Sequence, residues 1–511
     1  MAASLRHPLG GLILLVMAAI YLPLLPAGGL MLAPAFSPDG WQALLADPQV
    51  PQALAATLTS TLIATLGSLF IALVVVAALW PGKAWQRLST RLPCLLAIPH
   101  VAFATSALLL FAEGGEFYRL CTLCTPQLDR YGVGLGVTLA IKESAFVLWA
   151  IYAVLPEERL AQKMVILRTM GYGRVQGLCW LVLPAIAPAL GGVMLAVAAW
   201  SLSVVDVAMI LGPGNPPTLA VLAWQWLTQG DAEQQTKGTL LCLLLLGLVL
   251  LFAALGYVLW RGVKQTMPVE KGQRHPSAPS RTGALLGWLL PLAGLLSAAV
   301  LVVLSRTPQD DFGPATTSLS LGLLSSLIAL VAILGWLEWG PQRYTSWVWL
   351  PLALPALPLV AGQYQLALYL GAEGHYFAVL WGHLLWVLPW MLLVIQPAWR
   401  GIDSRQVLIA RTLGMPRWKR FWLIKCPLLI RPLLLAFATG FSVSMAQYMP
   451  TLWLGAGRYA TLTTEAVALS SGGSTPVLAE RALGLLVLTA LIFALAAALS
   501  RLAGDYRKGL R

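Results

Sequence analysis

The strongest constraint on this 511-residue chain is a series of long apolar runs separated by short polar or basic loops. About twelve of these runs reach the roughly 18 residues that let a helix cross a bilayer core about 30 Å thick. They fall near 9–27, 57–80, 93–112, 135–154, 182–205, 238–260, 284–304, 316–337, 349–371, 376–396, 428–450 and 482–503. The chain is 59% hydrophobic and only 10% charged, too little polar surface for a soluble globule of this length. An all-α integral membrane protein with about 12 transmembrane helices is expected.

Six runs lie on each side of a segment, 261–283, that reads RGVKQTMPVEKGQRHPSAPSRTG. Rich in Pro, Ser and basic residues, it can neither span nor pack, and it reads as a linker. The expected division is therefore a first half 1–260, a cytoplasmic linker 261–283 and a second half 284–511. The halves carry matching text. Arg168-Thr169-Met170-Gly171, with Pro184 further on, recurs 243 residues later as Arg411-Thr412-Leu413-Gly414 with Pro427 at the same spacing, and Leu211-Gly212 recurs as Leu454-Gly455. Upstream, Pro99-His100-Val101-Ala102 aligns with Pro358-Leu359-Val360-Ala361 at a larger offset, so the first half holds an extra outer loop near 113–134 that includes Cys121 and Cys124. Like order on a like face makes this a parallel repeat rather than an inverted one.

The net charge of +13 is spread over separate loops, which excludes a single nucleic-acid face. Placing both termini in the cytoplasm gives the inner loops a Lys and Arg excess of roughly four to one, as the positive-inside rule requires. Arg6 followed by an apolar run could resemble a cleaved signal, but the two-half count favours an uncleaved anchor.

Each repeated loop runs from an Arg-rich polar stretch to a Gly, through a basic and aromatic turn, to a Pro at the mouth of the next span. Gly opens the positive-φ conformation and Pro fits the first turn of a helix. The expected form is a short helix, a turn at Gly, then a fresh transmembrane helix, a shape suited to a groove on a cytoplasmic protein. Here the chain resembles the inner-membrane permeases of binding-protein-dependent ABC importers, whose docking loop reads E-A-A-x-x-x-G, nine residues, I-x-L-P. Gly171, Leu181, Leu183 and Pro184 match in the first half, and Gly414, Ile424 and Pro427 in the second, where Cys426 replaces Leu. Val165 and Leu408 stand where the family has Glu, and only Ala410 keeps one of the alanines. The fused halves are similar to the thiamine and ferric-iron double permeases.

That resemblance implies a type I ABC importer-like fold in the bacterial cell inner membrane. It implies two copies of a separate ABC ATPase subunit, one at Arg168, Thr169, Gly171, Leu181 and Pro184 and one at Arg411, Thr412, Gly414, Ile424 and Pro427. It also implies an extracytoplasmic solute-binding protein and a lipid surround. The sequence itself contains no G-x-x-x-x-G-K-[ST]; Pro81-Gly82-Lys83-Ala84 is the nearest fragment. ATP hydrolysis is thus expected from a partner, with no cofactor in this chain and no enzymatic activity of its own.

The alternative is a secondary active transporter driven by an ion gradient, which would carry its own carboxylates within the membrane. Glu143, beside Lys142, and Asp206 are candidates, and with Ser203, Ser444 and Gln447 they form a possible translocation path. His383, among Trp381, Trp386 and Trp390, reads as a hydrogen-bonded packing residue, and no His or Cys spacing suggests a metal site. Cys121 and Cys124 read as a structural disulfide or idle thiols, and Cys94, Cys179, Cys242 and Cys426 as packing residues.

Overall fold

The computed structural model describes residues 8–112, 115–120, 129–155, 160–266, 274–275, 280–305 and 311–509, and among them there is no strand. Cys121 and Cys124 lie outside the described residues, and the side chain of Cys94 does as well.

Eighteen helices carry the architecture. The first nine are α1 (Pro8–Tyr21, continued by Leu24–Leu32), α2 (Gln49–Leu79), α3 (His100–Phe111), α4 (Val133–Val154), α5 (Leu160–Thr169), α6 (Leu183–Ser203), α7 (Asp206–Leu211), α8 (Leu219–Thr228) and α9 (Ala232–Thr266). The second nine are α10 (Arg281–Leu304), α11 (Gly313–Trp339), α12 (Ala356–Tyr369), α13 (Tyr376–Arg400), α14 (Ser404–Thr412), α15 (Ile430–Met445), α16 (Met449–Leu454), α17 (Leu462–Ser470) and α18 (Thr475–Gly509). The two sets have the same order of long and short elements. Helices α4, α7, α8 and α9 begin at 133, 206, 219 and 232, and α13, α16, α17 and α18 begin at 376, 449, 462 and 475, each 243 residues later.

Among the described residues nine helices are long and apolar enough to cross a membrane, or up to eleven if each of two bent pairs counts as one span. The expected run 93–112 is no single helix: it breaks into Leu92–Leu96 and α3 around Ile98-Pro99. Its counterpart 349–371 bends by 104° at Pro355, and the run that enters α15 bends by 78° at Leu429. A residue preceding Pro is pushed out of the helical region, and Pro itself cannot continue the backbone ladder. Since α3 starts after Pro99 and α12 after Pro355, the structural partner of Pro99 is Pro355 and not the Pro358 of the sequence match. The linker is also shorter than 261–283, because α9 continues to Thr266 and α10 begins at Arg281.

The first span of each set packs on the other, α10 bridging it to α18 of its own set. Helix α1 lies against α11, α12 and α13, and α10 lies against α2, α3 and α18. Gly335 lets α1 approach closely, since a Cβ there would stand 2.5 Å from Ile13 Cδ1. Trp381 Nε1 donates to the Ile20 carbonyl at 3.1 Å, and Ser106 and Ser297 hydroxyls meet at 2.7 Å. Such hydroxyl and small-residue contacts hold helices together where lipid offers no hydrophobic drive. The last long helices are pinned by charge: Lys237 Nζ reaches Asp47 at 3.0 Å, and Arg481 Nε reaches Glu465 at 2.8 Å.

Candidate functional site: a shared cavity and two docking loops

Between the two sets of helices lies a cavity of about 290 Å³, walled mainly by apolar side chains and entered by a few polar groups. Helices α3, α4, α6 and α7 supply one side, and α12, α13 and α15 the other. Of the path residues expected from sequence, Glu143, Ser203, Asp206 and Gln447 line it. Ser444 does not, because its hydroxyl is turned to His383.

Glu143 sits within α4 and is 6% exposed. The Nε2–H of His100, the first residue of α3, donates to its carboxylate at 2.7 Å. The His100 ring lies 5.3 Å from that of Trp200, a further cavity residue. Asp206, at the first turn of α7, is buried within electrostatic reach of His100 and accepts hydrogen bonds from its own and the Val207 backbone N–H. An acidic side chain suits this position, where the N–H groups of a helix start are unpaired. Neighbours on a helix project about 100° apart. Lys142 accordingly points elsewhere than Glu143, its ammonium donating to the Leu95 carbonyl at 2.5 Å near the end of the Leu92–Leu96 helix. It satisfies backbone acceptors that the break at Pro99 leaves open. Ser203 donates to the Ala199 carbonyl and accepts the Ala356 N–H, both at 2.8 Å, so a hydroxyl from the first set caps α12 of the second.

His383 is fully enclosed between α15 and α16. Thr451 donates its hydroxyl proton to the Gln447 carbonyl at 2.7 Å, so its oxygen accepts from His383 Nε2 at 2.8 Å. Nδ1 then accepts from Ser444 at 2.7 Å. This fixes a neutral imidazole as a strut. Among the described residues no group of three His, Cys, Asp or Glu side chains could hold a metal ion.

The two repeated loops share one geometry. Helix α5 ends at Thr169 and α14 at Thr412; each threonine hydroxyl turns back onto the carbonyl three residues earlier, Ile166 or Ile409. Gly171 and Gly414 follow with φ of +91° and +77°, the left-handed region that glycine enters without a Cβ clash. The chain becomes helical again at Arg174 and Arg417, ten residues before the prolines, so Pro184 and Pro427 do not open the next helix as expected. A widened π-helical turn, Leu178–Val182 or Phe421–Lys425, holds Leu181 or Ile424 and lets each proline ring pass the carbonyl four residues back. Arg168 and Arg411 are exposed. So are the apolar counterparts Val165 and Leu408, Ile166 and Ile409, and Met170 and Leu413.

Sequence reading did not single out His100 or Glu338. Glu338, near the C-terminal end of α11, has a side chain only 3% exposed. Arg417 Nε reaches its Oε1 at 2.9 Å and Lys425 Nζ its Oε2 at 2.5 Å. The available signal was a lone carboxylate ending an apolar run, upstream of a loop crowded with cations.

Residues 292–506 match the family model described as binding-protein-dependent transport system inner membrane component. The chain is 58% identical over 511 residues, all of both chains, to the inner membrane ABC transporter permease protein YnjC of Escherichia coli (strain K12). No solved structure matches it significantly. The chain therefore belongs to the inner-membrane permeases of binding-protein-dependent ABC transporters.

Proposed function

We propose that this permease forms the whole translocation path of an importer from two fused halves, 1–260 and 284–511, and docks one ATPase subunit on each repeated loop. Both termini and the linker between α9 and α10 are then cytoplasmic, and the solute arrives from an extracytoplasmic binding protein. The reading rests chiefly on one observation: α5 and α14, each together with the residue that follows it, expose the same three apolar positions beside the same left-handed glycine. An amphipathic helix that leaves its apolar residues uncovered is fitted to lie in a groove of a partner. Val165 and Leu408, in place of the family's Glu, make that contact apolar rather than ionic. The cavity holding Glu143, Asp206 and Gln447 is proposed as the solute path, with ATP hydrolysed by the partner.

Replacing Gly414 with Arg tests this directly. The position has no neighbour within 4 Å, so the damage comes from forcing a branched backbone into positive φ and from the bulk offered to a partner. Gly414→Arg should insert normally, lose pull-down of the ATPase and lose ATP-driven uptake. Normal pull-down and uptake by that variant would overturn the docking assignment, and so would uptake that a proton uncoupler abolishes while ATP is maintained.

A further inference from the structure

The shared cavity continues into a second space. A groove of about 360 Å³ adjoins it, and Trp149, Val394 and Leu435 belong to the walls of both. Helix periodicity makes the two spaces one track, because residues three or four apart share a helix face. On α15, Ser442, Thr439 and Leu435 run along such a face from the cavity to Arg431 in the groove. On α13, Trp386, Trp390 and Val394 lead in the same way to Ala398. On α4, Glu143 and Phe146 lead to Trp149. At 1.5 Å per residue the α15 face covers about 16 Å from Ser442 to Arg431. Trp149 comes from the first half and the other groove residues from the second, so the groove lies between the halves. Arg431, in the first turn of α15 just past the bend at Leu429, is exposed and gives this otherwise apolar groove its charge. The position 243 residues earlier is Pro188.

We infer that the groove is the inner section of the solute path, and that Arg431 is a specificity-determining residue there, receiving an anionic group of the solute as it leaves the cavity. The inference rests on the proposed function, in which the cavity is the solute path and the repeated loops are cytoplasmic. A charge in an apolar span is costly and is kept where it faces water, a partner or a solute. A guanidinium presents its donors in a planar fork that matches the oxygens of a carboxylate or phosphate. The order of charge along the track suits a solute with donor groups and an anionic end. Glu143 and Asp206 accept from the donors in the cavity, and Arg431 takes the anionic end further in.

The test uses the full chain with its ATPase, without nucleotide, in inside-out membrane vesicles, carrying Ala398→Cys, Leu435→Cys or Thr439→Cys one at a time. Each is exposed to two small thiol reagents of opposite charge, the sulfonatoethyl and trimethylammonioethyl methanethiosulfonates, and modification is read by non-reducing peptide mass spectrometry. All three cysteines should react, Ala398→Cys fastest and Thr439→Cys slowest. At Ala398→Cys the ratio of anionic to cationic rates, taken relative to a free thiol, should favour the anion. Arg431→Gln should lower that ratio at least about five-fold, as one charge does in a narrow cleft with apolar walls. Arg431→Lys should keep most of it. Where Arg431→Gln does not insert, raising salt from about 0.01 to about 1 M with Arg431 in place should lower the ratio by screening. An unchanged ratio in Arg431→Gln, or across the salt range where that variant fails, overturns the role of Arg431. Labelling of Ala398→Cys and Leu435→Cys by a lipophilic maleimide but by neither charged reagent makes the groove a lipid crevice and overturns the route. So does a Thr439→Cys that stays unmodified while the other two react. Modification of Ala398→Cys from right-side-out vesicles alone would instead strike the cytoplasmic placement of the loops.

Discussion

Around the shared cavity the two halves spend their polar residues differently. In the first, Glu143, His100 and Asp206 border the shared cavity. In the second, the positions 243 residues on from Glu143 and Asp206 are Trp386 and Met449; uncharged Gln447 still faces the cavity, and Ser444, His383 and Thr451 close on one another as a strut. The exchange is reciprocal: His383 and Thr451 correspond to Ala140 and Ala208. Ser201, counterpart of Ser444, is buried with no hydrogen-bond partner for its hydroxyl. A membrane-buried charge is costly, and it is kept where it meets water or solute; a neutral network closed on itself is kept for packing. The same scaffold thus carries a charged wall on one side and a structural pin on the other.

Three experiments would break or sharpen this contrast. The largest effect is expected from Glu143→Gln combined with Asp206→Asn, which should lower uptake by the assembled system at least about ten-fold while insertion and ATPase pull-down stay normal. Uptake near the original level would remove the charged wall from the transport path. His383→Ala should act on stability instead, because it opens a hole and leaves two buried hydroxyls without their shared partner, a loss of about 2–4 kcal/mol. Thermal unfolding in detergent reads it, and a variant of unchanged stability but lost uptake would place His383 on the path after all. The smallest and most diagnostic pair is Ser444→Ala against Ser201→Ala. The first should cost about 1 kcal/mol and the second close to nothing, since only the first breaks a hydrogen bond. Equal costs would mean that the two serines sit in equivalent environments.

Part of the site was legible in the chain because it is written locally. The repeated loops announce themselves through Gly171 and Gly414, whose positive φ is a single-residue property, and through prolines that interrupt regular helix within one turn. Glu143 and Asp206 were visible as charges in apolar text. Their surroundings were not: His100 is 43 residues from Glu143, and Glu338 is 79 and 87 residues from Arg417 and Lys425. No periodicity spans such distances. Ser444 was expected beside Gln447 and instead lies outside the cavity lining, since a helix face read from sequence does not say which neighbour claims it.

What the sequence by itself determined is the solvent and the punctuation. Apolar runs of spanning length commit the chain to lipid and to helices, and the basic loops between them imply an orientation, because both depend on residue type summed along a short stretch. The tertiary structure decided how the runs are broken and shared. It bent the segments at Pro355 and Leu429, sent α1 and α10 across to pack on the opposite half, and let Ser203 of one half cap α12 of the other. Only there does an interhelical contact exist, and in a bilayer, where burial against lipid and burial against protein are nearly equal in apolar terms, packing and hydrogen bonds choose the partners.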